Sequence, residues 1–276
     1  MAITFGVFSA LLLGLSDFLA ARAARHAASL SVTRTVVSTS LVFSPLLLLL
    51  VDSAPTRRDL LLGAGSGIAM ITGLMLLYHG YKVARMGIVA PTSSVLLAAV
   101  PVIVDLIRGE RPGTLGAIGI VIGLVALVLT SYTPGGQGSA TLGAVLGLAS
   151  GVAFGIAFTL MGEVSAEAGL APVFAQRGSG LLLLCVIALF RPEPFLVQHP
   201  LGRRMAMISG VFGVVAIASL QLAFREGASG PVSVAGSQFA TVAVILSVLF
   251  NRERMRWWQG IGVAATAAGV ALMALG

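Results

Sequence analysis

One carboxylate, Asp17, lies well inside the first long apolar stretch of the chain, in the segment "GLSDFLA". An ionisable group in such surroundings is costly, so its presence makes it a candidate for function. A carboxylate at this position could bind the ammonium group of a substrate or carry a coupling proton. The alternative is an ion pair with Arg22, Arg25 or Arg34, and it is slightly favoured because Asp17 lies about one helical turn from this basic end.

Small polar residues follow one face of two later apolar stretches, since side chains three, four or seven positions apart lie together on a helix. Such stripes commonly serve tight helix packing in membranes. We expect a mixed role in packing and ligand binding, because glycine and proline loosen both helices near their starts. They lie at Gly87 and Pro91, and at Gly230 and Pro231. The faces contain Ser94, Ala98, Pro101 and Asp105 in one helix and Ser233, Ser237 and Thr241, with Gln238 adjacent, in the other. The candidate ligand-binding residues among them are Ser94, Ser237, Gln238 and Thr241.

Tyr78 and Gln221 are further candidates, at the ends of two other helices and at corresponding places in the two halves of the chain. Gln221 shares a helix face with Ile217, so its amide is expected to face a cavity, whereas Tyr78 could equally be an interfacial anchor. Arg34 and Arg177 also correspond between the halves. One of them could hold a substrate carboxylate. Their duplication instead favours a structural role, in capping helix carbonyls or reaching lipid headgroups.

Composition excludes several classes of function. The chain is 57% hydrophobic and 10% charged, whereas a soluble domain carries about a quarter charged residues, so most of its surface must face lipid. The net charge of +7 comes from basic residues scattered singly between apolar runs, which does not indicate a nucleic-acid surface. The single Cys185, the lack of GxxxxGK[ST] and HExxH motifs, and the scattered carboxylates argue against a disulfide framework, a metal site, a cofactor or an enzyme.

Ten apolar segments are long enough to cross a bilayer, which takes roughly 20 residues. The longest well-defined connection between them is the polar, glycine-rich "SYTPGGQGSA", which divides the chain almost in half. The predicted helices cover 3–21, 31–51, 60–78, 89–107, 114–131, 142–161, 172–190, 204–223, 231–250 and 257–275.

The two halves repeat each other at a fixed offset of 143 positions, as from Arg34 to Arg177. In the first helix of each half the offset is 141, as from Gly6 to Gly147. Because each half has five helices, an odd number, the second half must enter the membrane from the opposite side. We therefore predict an all-α membrane protein of ten transmembrane helices in two inverted five-helix repeats, residues 1–133 and 142–276, joined by a linker at 134–141.

The motifs of these repeats resemble those of the EamA-type ten-helix transporters of the drug/metabolite transporter superfamily. The resemblance is carried by "GERPGTLGAIGIVIGLVAL" and "NRERMRWWQGIGVAATAAGVAL", by "VTRT" and "AQRG", and by "GIVAPTSSVLLAAVPV". It implies a basket-like helical bundle that moves small metabolites, such as amino acids, without hydrolysing nucleotides. The charged pairs that precede the last helix of each half are expected to be structural; they are Glu110 with Arg111 and Glu253 with Arg254.

We expect a secondary transporter that exports or exchanges small metabolites, amino-acid-like or drug-like, by alternating access. The alternative of the same fold is a flippase for lipids or lipid-linked substrates, which would need a slot open to the bilayer. A structural or receptor subunit is disfavoured because an inverted repeat serves a two-sided mechanism. The expected partners are a small-molecule substrate and the lipid of a cell membrane of bacterial inner-membrane type. A monomer suffices, because one chain supplies both halves.

Overall fold

The computed structural model describes residues 1–84, 86–109, 111, 113–131, 140–191, 193–251 and 256–275, and these residues form helices and connections without a β-strand. The first half contains α1 (Ala2–Ala23), α2 (Ser29–Leu48), α3 (Arg57–Val83), α4 (Met86–Ile107) and α5 (Thr114–Ser131). The second half contains α6 (Ala140–Gly162), α7 (Ala171–Ala188), α8 (Pro200–Glu226), α9 (Ser229–Ser237), α10 (Phe239–Asn251) and α11 (Trp257–Leu275), with a short 3₁₀ turn at Ala166–Ala168. The prediction of an all-α membrane protein is confirmed.

Within these described residues, eight helical segments are long and apolar enough to cross a membrane, and α9 and α10 together count as one of them. Residues 114–126 of α5 form a shorter apolar stretch. The final helix, α11, is 19 residues long. Most of the predicted linker, residues 134–139, lies outside the described residues, and its last two positions, Ala140 and Thr141, already belong to α6. The division into two repeat domains stays a prediction.

The ninth predicted helix differs from expectation, because the structure divides it at Gln238 into α9 and α10. The hydroxyl of Ser237 donates to the carbonyl of Val234 over 2.7 Å, and the amide of Gln238 donates to the same carbonyl over 3.2 Å. Side chains that compete for a helix carbonyl weaken the backbone ladder at that point. The ladder resumes when the Val242 N–H donates to the carbonyl of Gln238 over 3.2 Å.

The helices of the two halves pack on each other in exchanged, antiparallel pairs. In one pair, Ser16 of α1 meets Ser209 of α8 with 3.0 Å between hydroxyl oxygens, while Ala2 lies against Gly227 at the far end of α8. In the equivalent pair, the hydroxyl of Ser66 in α3 donates to a carbonyl of α6 over 2.9 Å. Since α1 and α3 run in the same direction and α8 corresponds to α3, antiparallel packing of α1 on α8 is what an inverted repeat requires.

Two glycines predicted to correspond, Gly14 in α1 and Gly155 in α6, have equivalent surroundings. A Cβ on Gly14 would lie 2.9 Å from the carbonyl oxygen of Phe239, and one on Gly155 would lie 3.0 Å from that of Leu96. Phe239 follows Leu96 by the repeat offset. Small residues allow this close approach of helix backbones. In both cases the first helix of one half packs against the fourth predicted helix of the other half.

Candidate substrate site between the two halves

A cavity lies where helices of both halves meet, with an accessible volume of about 30 Å³. Its lining is apolar and aromatic except for one ionisable residue, Asp17. The lining residues are Leu13 and Asp17 of α1, Met70 and Leu74 of α3, Leu97 of α4, Phe154 and Phe158 of α6, Ile217 of α8 and Phe239 of α10.

Repeat symmetry runs through this cavity. Six of its nine lining residues form three pairs that the offsets of 141 and 143 relate to one another. A ligand site at the interface of inverted repeats, near their pseudo-two-fold axis, is the arrangement that such folds use. Two pairs are apolar on both sides, and the third departs from symmetry by setting a carboxylate opposite a phenyl ring. The pairs are Leu13 with Phe154, Asp17 with Phe158, and Leu74 with Ile217.

Asp17 is 5% exposed and faces the hydroxyl of Tyr81. Tyr78 lies beside it, with 6.1 Å between the centroids of the two tyrosine rings. The expected ion pair of Asp17 with a nearby arginine is absent from the part of the chain that the structure describes. Arg22 instead lies over the ring of Phe18, 5.7 Å from its centroid. Because burial without a basic partner is costly for a carboxylate, this geometry favours the functional interpretation of Asp17.

Arg177 reaches the same polar region from α7. It is 4% exposed, and its Nη2 donates to the carbonyl of Gly213 over 3.3 Å, while its Nε has no partner among the described residues. Tyr78 lies near Arg177, Asp17 and the hydroxyl of Ser209. Arg177 therefore contacts a backbone carbonyl within α8 next to the candidate site, and its structural role stays a prediction.

Arg34, its counterpart in α2, has different surroundings. It is fully buried, its Nη1 donates to the carbonyl of Glu193 over 3.4 Å, and its guanidinium lies 5.3 Å from the centroid of Phe195. Both partners belong to the connection between α7 and α8. Arg34 thus fastens a connecting segment and does not line the cavity.

Gln221 lies one turn beyond Ile217 on the face of α8 that lines the cavity. It is 1% exposed, and neither its amide nitrogen nor its amide oxygen has a hydrogen-bond partner within the described residues. Buried polar groups are nearly always paired. Gln221 itself is not among the residues that line the cavity, so its amide is an unsatisfied polar group one helical turn away from the lining.

The other predicted binding residues are buried, and each makes a hydrogen bond to a residue three or four positions earlier in the chain. Ser94 donates to the carbonyl of Ala90 over 2.9 Å. Thr241 donates to the side-chain oxygen of Gln238 over 3.4 Å, and Ser237 and Gln238 both bond to α9 as described above. None of these four residues is among the cavity-lining set. Ser237, Gln238 and Thr241 lie at the break between α9 and α10, and Phe239, immediately after the break, lines the cavity.

Sequence reasoning missed the aromatic lining, because Phe154, Phe158 and Phe239 are apolar residues in an apolar chain and carry no distinguishing signal. The repeat offset could have found part of it, since it relates Asp17 to Phe158. Of the charges expected to be structural, Arg111 is exposed. The other members of those pairs, Glu110, Glu253 and Arg254, lie outside the described residues.

The bundle of long apolar helices defines a polytopic membrane protein. Residues 141–275 match the model of the EamA-like transporter family, and the chain belongs to this family, within the drug/metabolite transporter superfamily. It is also similar to a solved structure described as "Crystal structure of protein", with 18% identity and a TM-score of 0.71 over 99% of this chain and 96% of that one. That similarity shows the fold. No curated protein matches the chain.

Proposed function

We propose that the protein is a secondary transporter that exports or exchanges a small amino-acid-like or drug-like metabolite by alternating access. The observation that carries this proposal is the cavity at the interface of the inverted halves, in which Asp17 is the single charged residue among apolar and aromatic side chains. Because the matched family is a transporter family, we infer transport and not catalysis. A monomer in the cell membrane is sufficient for this activity.

The lining favours a substrate with an amine at one end and an apolar or aromatic body. Asp17 would accept hydrogen bonds from the ammonium group, in place of the water that a soluble site would offer. Phe154, Phe158 and Phe239 would pack against the body, and their ring faces attract a desolvated cation. Gln221 would bond to a polar atom at the opposite end of the substrate. Asp17 could alternatively carry a proton that competes with the amine.

The volume of the cavity supports movement between states. Sites that hold drug-sized ligands are roughly 300–1,000 Å³, whereas the accessible volume of this cavity is about 30 Å³. A drug-sized substrate would fit only if the halves moved apart on one side. Inverted repeats supply two equivalent opening motions, one toward each side of the membrane.

The test is a ligand screen by thermal unfolding in detergent, with amino acids, drug-like cations, nucleotide sugars and lipid headgroup compounds. A ligand at about one hundred times its Kd stabilises the folded state by about 2.7 kcal/mol, so its class is visible as a higher Tm. We expect amines with apolar bodies to raise the Tm, and Asp17→Asn to remove this shift. Asp52→Asn, which changes an exposed carboxylate in the α2–α3 connection, is the matched control and should retain it.

A shift that survives Asp17→Asn would contradict the assigned role of Asp17. A shift with lipid compounds alone would contradict the metabolite proposal and favour the flippase. Counterflow of the identified ligand in proteoliposomes then separates transport from simple binding, because only a transporter exchanges external for internal substrate.

A further inference from the structure

Asp105, near the end of α4, makes a contact between the halves that the candidate site does not use. It is 7% exposed. Its Oδ1 accepts a hydrogen bond from the hydroxyl of Ser229 and its Oδ2 accepts one from the N–H of Gly230, both over 2.5 Å. The residue that precedes α9, Ala228, has no side-chain cap to offer. Asp105 therefore caps the N-terminus of α9 from a different helix, in the other half.

The close approach requires the glycine. A Cβ at position 230 would lie 2.8 Å from the Oδ2 of Asp105 and 3.3 Å from a methyl group of Val102. The paired glycine and proline at the start of this helix, expected to loosen it, thus also make room for the carboxylate. Any larger residue at position 230 would displace the cap.

The contact lies between the cavity and one side of the membrane. We call this the terminal side, because α1 begins there at Ala2, next to Gly227. Asp105 follows the cavity residue Leu97 by eight positions, about 12 Å along α4. Ser229 precedes the cavity residue Phe239 by ten positions, about 15 Å in a helix. While Asp105 holds α9, helices α4 and α9 cannot separate on the terminal side of the cavity.

A second position is available to the carboxylate. A cavity of which about 60 Å³ is open to water-sized molecules lies beside the contact, and both Asp105 and Arg111 line it. The released carboxylate would therefore meet a cation, and α9 would be free to move as a short segment that ends at the break at Gln238. The residue at the offset of 143 from Asp105 is Val248, whose side chain has no carboxylate to cap a helix.

We propose that Asp105 is a one-sided latch. It closes the terminal side of the transport pathway by capping α9, and that side opens when the carboxylate leaves α9 and pairs with Arg111. The inference rests on the proposed alternating access. It makes Asp105 a positioning residue and predicts that the two sides of the membrane open with unequal ease, although the helices around the cavity are symmetric.

The test measures access to the cavity from each side. Leu13→Cys, in a background of Cys185→Ser, is labelled in proteoliposomes by a membrane-impermeant maleimide, and a separate Asp52→Cys protein reports which side is the terminal one. We expect Asp105→Ala to raise the labelling rate from the terminal side and lower it from the opposite side, each on the order of tenfold, as loss of a hydrogen bond to a charged group allows. Arg111→Gln should lower labelling from the terminal side.

Val248→Ala, at the position that corresponds to Asp105, is the matched control and should leave both rates unchanged. If Asp105→Ala does not yield folded protein by its melting curve, Ser229→Ala removes one of the two bonds and should shift both rates in the same directions by a smaller factor. Unchanged rates in folded Asp105 or Ser229 variants would overturn the latch. If the Leu13→Cys protein with Asp105, Arg111 and Ser229 unchanged is labelled from one side only, with or without substrate, alternating access itself would be overturned.

Discussion

The two halves share their backbone packing and differ in the polar groups set into it. Where α6 packs on α3 and α4, Ser93 donates to the hydroxyl of Ser150 over 3.1 Å, and Ser150 donates to the carbonyl of Gly73 over 2.9 Å. The counterpart of Ser150 is Ser9, and the counterpart of Ser93 is Gly236, which has no hydroxyl to donate. The hydroxyl of Ser9 is accordingly without a partner in the described residues. The helices of the two halves thus pack in equivalent ways, whereas the polar side chains at equivalent positions differ.

In the cavity, Asp17 and Phe158 are another pair with equivalent positions and different side chains. Both residues line it from corresponding positions of α1 and α6. Two phenylalanines would make an apolar void, and two carboxylates would repel each other in a medium of low dielectric constant. One of each gives a charged end and an apolar end in a site whose walls are otherwise alike.

The largest expected effect comes from exchanging this pair. Asp17→Phe should abolish the Tm shift caused by the amine ligand, because no carboxylate remains in the cavity. The double variant Asp17→Phe with Phe158→Asp returns a carboxylate at the symmetry-related position and should recover part of the shift. Thermal unfolding with the ligand found in the screen measures both. Failure of the double variant to recover any binding, with folded protein, would mean that Tyr78 and Tyr81 make the site one-sided.

A smaller effect, on stability, should be equal in the two halves. Gly14→Val and Gly155→Val each force side-chain atoms against a neighbouring helix backbone 2.9 and 3.0 Å from the new Cβ. We expect each to lower the free energy of unfolding by about 1–3 kcal/mol, the usual cost of overpacking. Denaturation in detergent compares them. A large difference between the two values would contradict the equivalence of these contacts.

The smallest effect should distinguish the halves. Ser150→Ala removes a hydroxyl that is bonded to both Ser93 and Gly73, so it should cost about 1 kcal/mol. Ser9→Ala removes an unpartnered hydroxyl and should be neutral or slightly stabilising, because no hydrogen bond is lost. The same unfolding measurement applies. Equal losses would show that Ser9 has a partner in the folded protein.

The helices and the internal repeat can be predicted from the sequence, because ten apolar runs are separated by polar connections and polar residues recur at one offset. It does not carry the break at Gln238, since "GSQFATVAV" has continuous hydropathy and the competing bonds of Ser237 and Gln238 depend on local geometry. Asp17 could be selected because buried carboxylates are rare. Ser94 and Thr241 could not be placed, because a polar stripe fits a helix contact as well as a cavity. The sequence assigned Asp105 to the polar face of its helix, but its partner Ser229 is 124 positions away and could not be identified from the sequence.

The exchanged pairing of α1 with α8 has a consequence for synthesis. Ser16 and its partner Ser209 are 193 positions apart, and elongation at about 5–20 residues per second separates their emergence from the ribosome by roughly 10–40 s. During this interval the first helix is in the membrane with Asp17 and its serines uncovered. Its insertion must therefore be protected by lipid headgroups, by the insertion machinery or by α2 and α3 until the eighth helix arrives.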